Sequence, residues 1–295
     1  MNKASISKGD AFILLSTAFW GTISIFTRWM LAEDFNSVQI VTIRAFITTL
    51  TMLVVLLIKQ PSLLKIRLRD IWMFIGSGIC SFMFFNICYM SSIGENSVSV
   101  ACILMYTSPI WVTLMSALVF KERLTPGKLA ALAICFGGSA MVCLSGSLNF
   151  TPIGLLFGLG SGIGYALYSI FGKLASSRYS TLTVIFYTFL FSTIGCSFIC
   201  DIPKTVTLLS VPENLLMAVG ISILCTVIPY LLYTYGLSKS SASKASILSI
   251  TEPVVAAIVG IIAFAEMPGI LGFLGMAVVL AGLILLEKLP SEVRK

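Results

Sequence analysis

The chain has 295 residues, of which 58% are hydrophobic and only 11% charged, and its mean hydropathy is +1.02. A soluble domain carries about 25% charged residues, so the composition describes a polytopic membrane protein with no extramembrane domain. There is no histidine, which excludes imidazole bases, Ser-His dyads, haem axial histidines and His-ligated metal, and no cofactor is expected.

Ten apolar stretches are each near the ~20 residues that a helix needs to cross a bilayer. They lie at 11–31, 37–58, 71–91, 97–120, 126–145, 152–174, 181–200, 214–237, 241–265 and 268–287. The first contains Ser16-Thr17-Ala18, a weak cleavage-like site. The apolar run continues past it, so it is read as an uncleaved anchor. Arg28 and Trp29 close this span beside Glu33 and Asp34 and read as an interface anchor. Arg44 lies about two turns into the second span, about 10 Å deep at 1.5 Å per residue. It grips a substrate carboxylate, snorkels back to the interface, or forms an ion pair with a neighbour. The eight cysteines all lie in apolar runs without a CxxC and read as small core residues. Gly154, Gly158 and Gly162 recur every four residues in the sixth span. They form a face for close helix approach and not a phosphate loop.

Lysines and arginines set the topology. Lys3, Lys8, Lys59, Lys65, Arg67, Arg69, Lys121, Arg123, Lys128, Lys173, Arg178, Lys239, Lys244, Lys288, Arg294 and Lys295 all fall on one side of the ten spans. The opposite loops carry Lys204 and otherwise Glu33, Asp34, Glu95, Asp201, Glu213 and Glu266. By the positive-inside rule both termini are cytoplasmic and the chain sits in the cytoplasmic membrane. The pI of about 9.0 reflects these short basic loops, and nucleic acid is not an expected partner.

The stretch 245–266 crosses the bilayer, yet Glu252 and Pro253 stand near its middle. A charge at that depth costs roughly 2.5–3.5 kcal/mol on insertion scales and faces protein or water. Pro253 has no N–H, so the Ser249 carbonyl loses its helical partner. A carboxylate and a free carbonyl are thus expected one turn apart. The same stretch occurs 144 residues earlier: Ala101, Leu104, Pro109 and Glu122 fall under Ala245, Leu248, Pro253 and Glu266, and Ser108 stands where Glu252 stands. Tyr89 and Gly138 match Tyr233 and Gly282 at the same offset, and Ser24–Arg28 matches Ser169–Lys173 at 145. Two five-helix units, 1–146 and 147–295, are therefore expected. Five is odd, so they are inverted. Inverted repeats with interrupted helices at matching positions point to a transporter with its site at the repeat interface.

With the twin Ala-x-x-Leu-x-x-x-x-Pro helices, each ending in an acid, the Gly-rich helices that come after them, Trp20-Gly21 and the Glu252-Pro253 pair, the chain resembles the drug/metabolite transporter superfamily, in its EamA-type group. The resemblance covers nearly the whole chain. It implies an all-α membrane protein of ten transmembrane helices in two inverted five-helix repeats. It also implies export of amino acids or other small metabolites, often driven by protons.

The candidate site residues are those polar or aromatic at depth: Trp20, Arg44, Asn86, Tyr106, Ser108, Tyr165, Tyr168, Tyr230, Ser249 and Glu252. Glu252 is either the proton-coupling carboxylate and partner of a substrate amine, or an acid that caps the break at Pro253. The aromatics either cage a ligand or pack. One deep cation and one deep anion suit a small zwitterion, most simply an amino acid or a close derivative, with Arg44 on its carboxylate and Glu252 on its ammonium. Free carbonyls near Met105 and Ser249 would add acceptors. The alternatives are an exporter of lipophilic cations or drugs, a channel, and a non-transporting assembly or sensor subunit. A membrane-embedded enzyme lacks its residues, with no Ser-His pair and no second deep acid, and without a nucleotide loop primary pumping by this chain alone fails. The expected partners are a small-molecule substrate, membrane lipid and protons, the protein being a monomer or homodimer.

Overall fold

The computed structural model describes residues 7–144 and 151–289. The expected boundary between the units at 146/147, the end of the fifth span at Ser145, and Lys3, Arg294 and Lys295 lie outside the described residues. Among the described residues eleven principal helices run in order. They are α1 (Lys8–Ala32), α2 (Ser37–Lys59), α3 (Leu68–Glu95), α4 (Val98–Val119), α5 (Pro126–Cys143), α6 (Pro152–Ser176), α7 (Thr181–Ser197), α8 (Ile202–Leu209), α9 (Pro212–Lys239), α10 (Ala242–Phe264) and α11 (Ile270–Lys288). Nine of these described helices are long and apolar enough to cross a membrane. The bent pair α7–α8 passes the same length and composition test when its two helices are taken together, which brings the candidates among the described residues to nine or ten.

Local chemistry sets the helix starts. Ser7 and Asp10, and likewise Asn36 and Gln39, form reciprocal capping boxes. Ser97, Thr125, Thr151, Ser180 and Ser241 each cap a following backbone N–H. Pro126, Pro152 and Pro212 occupy first-turn positions, where a missing N–H costs nothing. The expected span 181–200 stops at Ser197. Asp201 then caps a new helix, α8, whose axis turns by 112°. Ile202 and Val206 on α8 are exposed.

Packing repeats with the sequence. α1 lies against the second half of α9, and α6 against the second half of α3. α10 packs on α1, and α4 on α6. α2 crosses α7, and α5 lies along α11 at the edge of the bundle. At the α2–α7 crossing Thr49 and Thr193 share a hydrogen bond. At the α5–α11 crossing the Cys135 thiol faces the Val279 carbonyl. The partners in both pairs are 144 residues apart, so a local two-fold axis runs between them. The backbones touch there: a Cβ on Gly138 would stand 2.8 Å from the Gly275 carbonyl oxygen, which is why small residues hold this contact.

Two helices are underwound in matched places. π-helical turns span Gly76–Met83 in α3 and Ile223–Val227 in α9, so residues 79–83 and 223–227 coincide at offset 144. Such turns are rare and gather at functional sites. In α6, Cβ atoms on Gly158 and Gly162 would stand 2.3 Å from Leu104 and 2.4 Å from Thr107. The glycine face therefore seats the broken middle of α4.

Candidate functional site

The matched Pro helices α4 and α10 are both interrupted, each in its own way. In α4 the first segment ends at Met105, and the N–H and hydroxyl of Thr107 both donate to the Leu104 carbonyl. In α10 a 3₁₀ turn over Ser249–Thr251 joins the two halves. The Glu252 N–H donates to the Ser249 carbonyl within that turn. The carbonyl expected to be free is thus satisfied, because a tighter turn supplies the donor that Pro253 removes. The Ser249 hydroxyl donates to the Ser246 carbonyl, 2.7 Å away in its own helix. The Thr251 hydroxyl meets that of Thr17 on α1 at 2.7 Å.

Glu252 opens the second half of α10, half-buried, and its Oε2 accepts from the Tyr165 hydroxyl at 3.3 Å. Tyr165 on α6 meets Phe85 on α3 edge-on, with ring centroids 5.1 Å apart, and Trp20 on α1 at 6.5 Å. Trp20 in turn meets Tyr230 and Tyr233 on α9, each at 5.3 Å. Tyr230 is edge-on to Tyr168 and Phe189. Around this aromatic cluster lies a cleft lined by Trp20, Ser81, Phe82, Phe85, Tyr165, Tyr168, Ser169, Tyr230 and Tyr233. Its free space is only about 10 Å³, roughly the room of one water centre, so the rings pack against one another and leave no space for a larger molecule. Two hydroxyl pairs fix them: Tyr168 with Thr234 at 2.6 Å and Tyr233 with Ser169 at 2.8 Å.

Arg44 is 8% exposed and points into the bundle, not to the interface. Snorkelling is ruled out by a partner on another helix. Its Nε donates to the Thr226 hydroxyl at 2.9 Å, inside the π turn of α9, and its guanidinium stands 5.7 Å over the Phe82 ring. Among the described residues its two terminal nitrogens have no hydrogen-bond partner. Arg44 and Glu252 are close enough for their charges to interact, yet they form no ion pair among the described residues.

The sequence-derived candidates separate into groups. Trp20, Tyr165, Tyr168 and Tyr230 share the aromatic cleft, and Glu252 joins it through Tyr165. Tyr106 is buried within electrostatic range of Glu252. Asn86 donates to the Phe82 carbonyl at 2.7 Å, a carbonyl near the end of the first π turn. It lines a neighbouring apolar cavity of about 220 Å³ with Val38, Val41, Met83, Met90, Cys196 and others. Ser108, like Ser249, is buried and stands apart from the residues lining either cavity. Phe82, Phe85, Thr226 and Ser169 were not anticipated. Phe82, Phe85 and Tyr89 do recur at helical spacing along α3, which marks one face. Among the described residues no group of three or more His, Cys, Asp or Glu side chains could hold a metal.

Comparison with known proteins bears on this site. The model of the EamA-like transporter family matches the chain twice, over residues 7–144 and 152–287. An uncharacterized transporter of Archaeoglobus fulgidus is 27% identical over 94% of this chain and 95% of its own. The uncharacterized inner membrane transporter YicL of Salmonella typhimurium is 24% identical over 96% of each chain. One protein of known crystal structure superposes with a TM-score of 0.81 at 19% identity, covering 95% of this chain and 96% of its own. A double family match over nearly the whole length, on nine to ten candidate membrane-crossing helices among the described residues, identifies the chain as a member of the EamA-like transporter family.

Proposed function

We propose that the protein is a secondary transporter that carries a small zwitterionic metabolite, an amino acid or a close derivative, out of the cell. It works by alternating access between the two units, 1–146 and 147–295, in the cytoplasmic membrane with both termini inside. The observation that carries the reading is the pairing of one deep cation with one deep anion, unbonded to each other, beside an aromatic cleft.

Each group has a task in this scheme. The free terminal nitrogens of Arg44 offer a bidentate fork for a carboxylate, while Thr226 holds its Nε in place. Glu252, steadied by Tyr165, accepts the substrate ammonium. When the substrate leaves, a proton takes the ammonium's place, so the carboxylate is never left bare in a dry site. Exchange of proton for ammonium at one oxygen pair couples the two fluxes. Trp20 and Tyr230 close over the apolar part of the substrate.

The test is an efflux panel in cells overproducing the protein, comparing amino acids, sugars, nucleosides and lipophilic cations. Amino-acid efflux that is lost in Arg44→Lys supports the reading, because an ammonium cannot bind Thr226 and a carboxylate as a planar fork does. Protection against cationic dyes with unchanged amino-acid efflux rejects it. That outcome would favour export of lipophilic cations, for which the aromatic cleft with a single acid is the supporting observation.

A further inference from the structure

Two loops occupy matched places at opposite ends of the bundle and are held in different ways. At the end rich in basic residues, the α9–α10 loop is clasped from both sides. Lys173 on α6 donates through Nζ to the carbonyls of Leu237 at 2.7 Å, Ser238 at 3.4 Å and Ser240. Glu122, just after α4, accepts from the N–H groups of Ala242 at 2.8 Å and Ser243 at 3.3 Å and from the Ser243 hydroxyl. A cation thus caps the last carbonyls of one helix, and an anion caps the first free N–H groups of the next. Ala242 and Ser243 are 0% exposed.

The repeat supplies every one of these parts a second time. Arg28 matches Lys173, and Glu266 matches Glu122. The carbonyls of Ile93, Gly94 and Asn96 match those of Leu237, Ser238 and Ser240, and Val98 and Ser99 match Ala242 and Ser243. At this acidic end the clasp is not assembled. Arg28 and Glu266 bind each other instead, Nη1 to Oε1 at 2.7 Å and Nη2 to Oε2 at 3.1 Å, both half-exposed. Neither makes a hydrogen bond or ion pair to residues 93–99 among the described residues, and Val98 is 57% exposed.

We propose that the Arg28–Glu266 ion pair is the parked form of a gate at the acidic end. On closure the pair parts: Arg28 takes the carbonyls of Ile93, Gly94 and Asn96, and Glu266 takes the N–H groups of Val98 and Ser99. At the same moment Lys173 and Glu122 release their loop and bind each other. Each end then trades a direct ion pair for a clasp while the other trades back, so the hydrogen bonds made by the four charged groups roughly balance between the two states. The bias comes from extra contacts at the basic end. Lys244 bridges Asp10 at 2.9 Å and Glu287 at 3.2 Å, and Ser240 donates to Asp10 at 3.2 Å. Their matches at the acidic end are Val100 for Lys244, Leu155 for Asp10 and Cys143 for Glu287, none of them charged. The state with its basic end clasped is the one that this asymmetry favours.

The inference rests on the alternating-access reading but not on any substrate. Its test is therefore amide hydrogen exchange of the full chain in lipid nanodiscs, with no ligand added. The deciding variant is the charge swap Arg28→Glu with Glu266→Arg. It keeps the ion pair but cannot build the clasp, since a carboxylate does not cap carbonyls and a guanidinium does not cap N–H groups. The expected result is faster exchange at residues 93–99 and slower exchange at 237–243, by about tenfold or more, the scale of one charge-assisted hydrogen bond. Glu122→Gln should shift the two loops in the opposite sense. It also serves if the swap fails to fold. Exchange at both loops equal to the parent's, in the swap or in Glu122→Gln, overturns the gate. Failure of amino-acid efflux with the exchange pattern intact overturns only the substrate.

Discussion

The hydroxyls of Thr49 and Thr193 meet at 3.1 Å, and the two residues stand 144 apart in the chain. The contact is therefore one that each unit makes with its own image. An interaction on such an axis has a characteristic response to mutation. Thr49→Val and Thr193→Val should each cost about 0.6 kcal/mol, the usual worth of an interhelical hydrogen bond in a membrane. The double variant should cost little more than either single one. Unfolding in detergent measures all three, and plainly additive losses would show that the two hydroxyls work separately.

The other crossing should be far less forgiving. Gly138→Leu drives a side chain into the Gly275 carbonyl, 2.8 Å from where its Cβ would stand. Overpacking costs about 1–3 kcal/mol or more, and here the obstacle is backbone. Loss of folded protein by size-exclusion after extraction is the expected outcome, with Gly137→Leu, where a Cβ meets nothing within 4 Å, as the tolerated control.

Glu252→Gln should fold and still exchange substrate across proteoliposome membranes while losing the response to an imposed pH gradient. The amide keeps the shape and can still accept from Tyr165, whereas it cannot carry a proton through the cycle. A Gln variant that accumulates substrate under a pH gradient as the parent does would move coupling to another residue.

The topology has a direct check. Lys65 and Asp34 are both exposed and lie on opposite sides of α2. Single cysteines at these positions, in a protein lacking the other thiols, should react with an impermeant maleimide from opposite faces of the membrane. Reaction of both from one face would refute the assignment of the basic loops to the cytoplasm.

The acid-end ion pair should withstand acid. The hydrogen bond from Arg28 holds the Glu266 carboxyl below its ordinary value, which is about 4.3 for a free side chain. A carboxyl with a lowered native pKa contributes stability above its ordinary value and loses it as pH falls through the lowered one. At about pH 5 the pair is then still intact, and the ¹³C shift of the Glu266 carboxylate should match that at neutral pH. Protonation already at pH 5 would contradict the geometry.

Much of the architecture was legible because it is written twice. The offset of 144 carried by Pro109 and Pro253 predicted which helices would break, and α4 and α10 break there. The hidden part depends on partners distant in sequence. The burial of Arg44 is decided by Thr226, on a helix 182 residues away. Glu122 reads as a family marker, and only the fold sets it at the head of α10. Phe82 and Phe85 have the same composition as a lipid-facing pair, and nothing local told them apart. The helix α8 was missed because eight residues beginning with Ile-Pro give too short a pattern to separate from a loop.

The π turns have a consequence for mapping this protein by mutagenesis. Each extra residue in a turn rotates the later part of the helix by about 100° relative to a regular one. Along α3, positions before Gly76 and after Met83 therefore do not share one helical wheel, and α9 behaves likewise about Ile223–Val227. A tryptophan scan of either helix would show a periodic tolerance that breaks phase midway. A wheel drawn straight through would assign Asn86 and Tyr230 to the wrong side of their own helices.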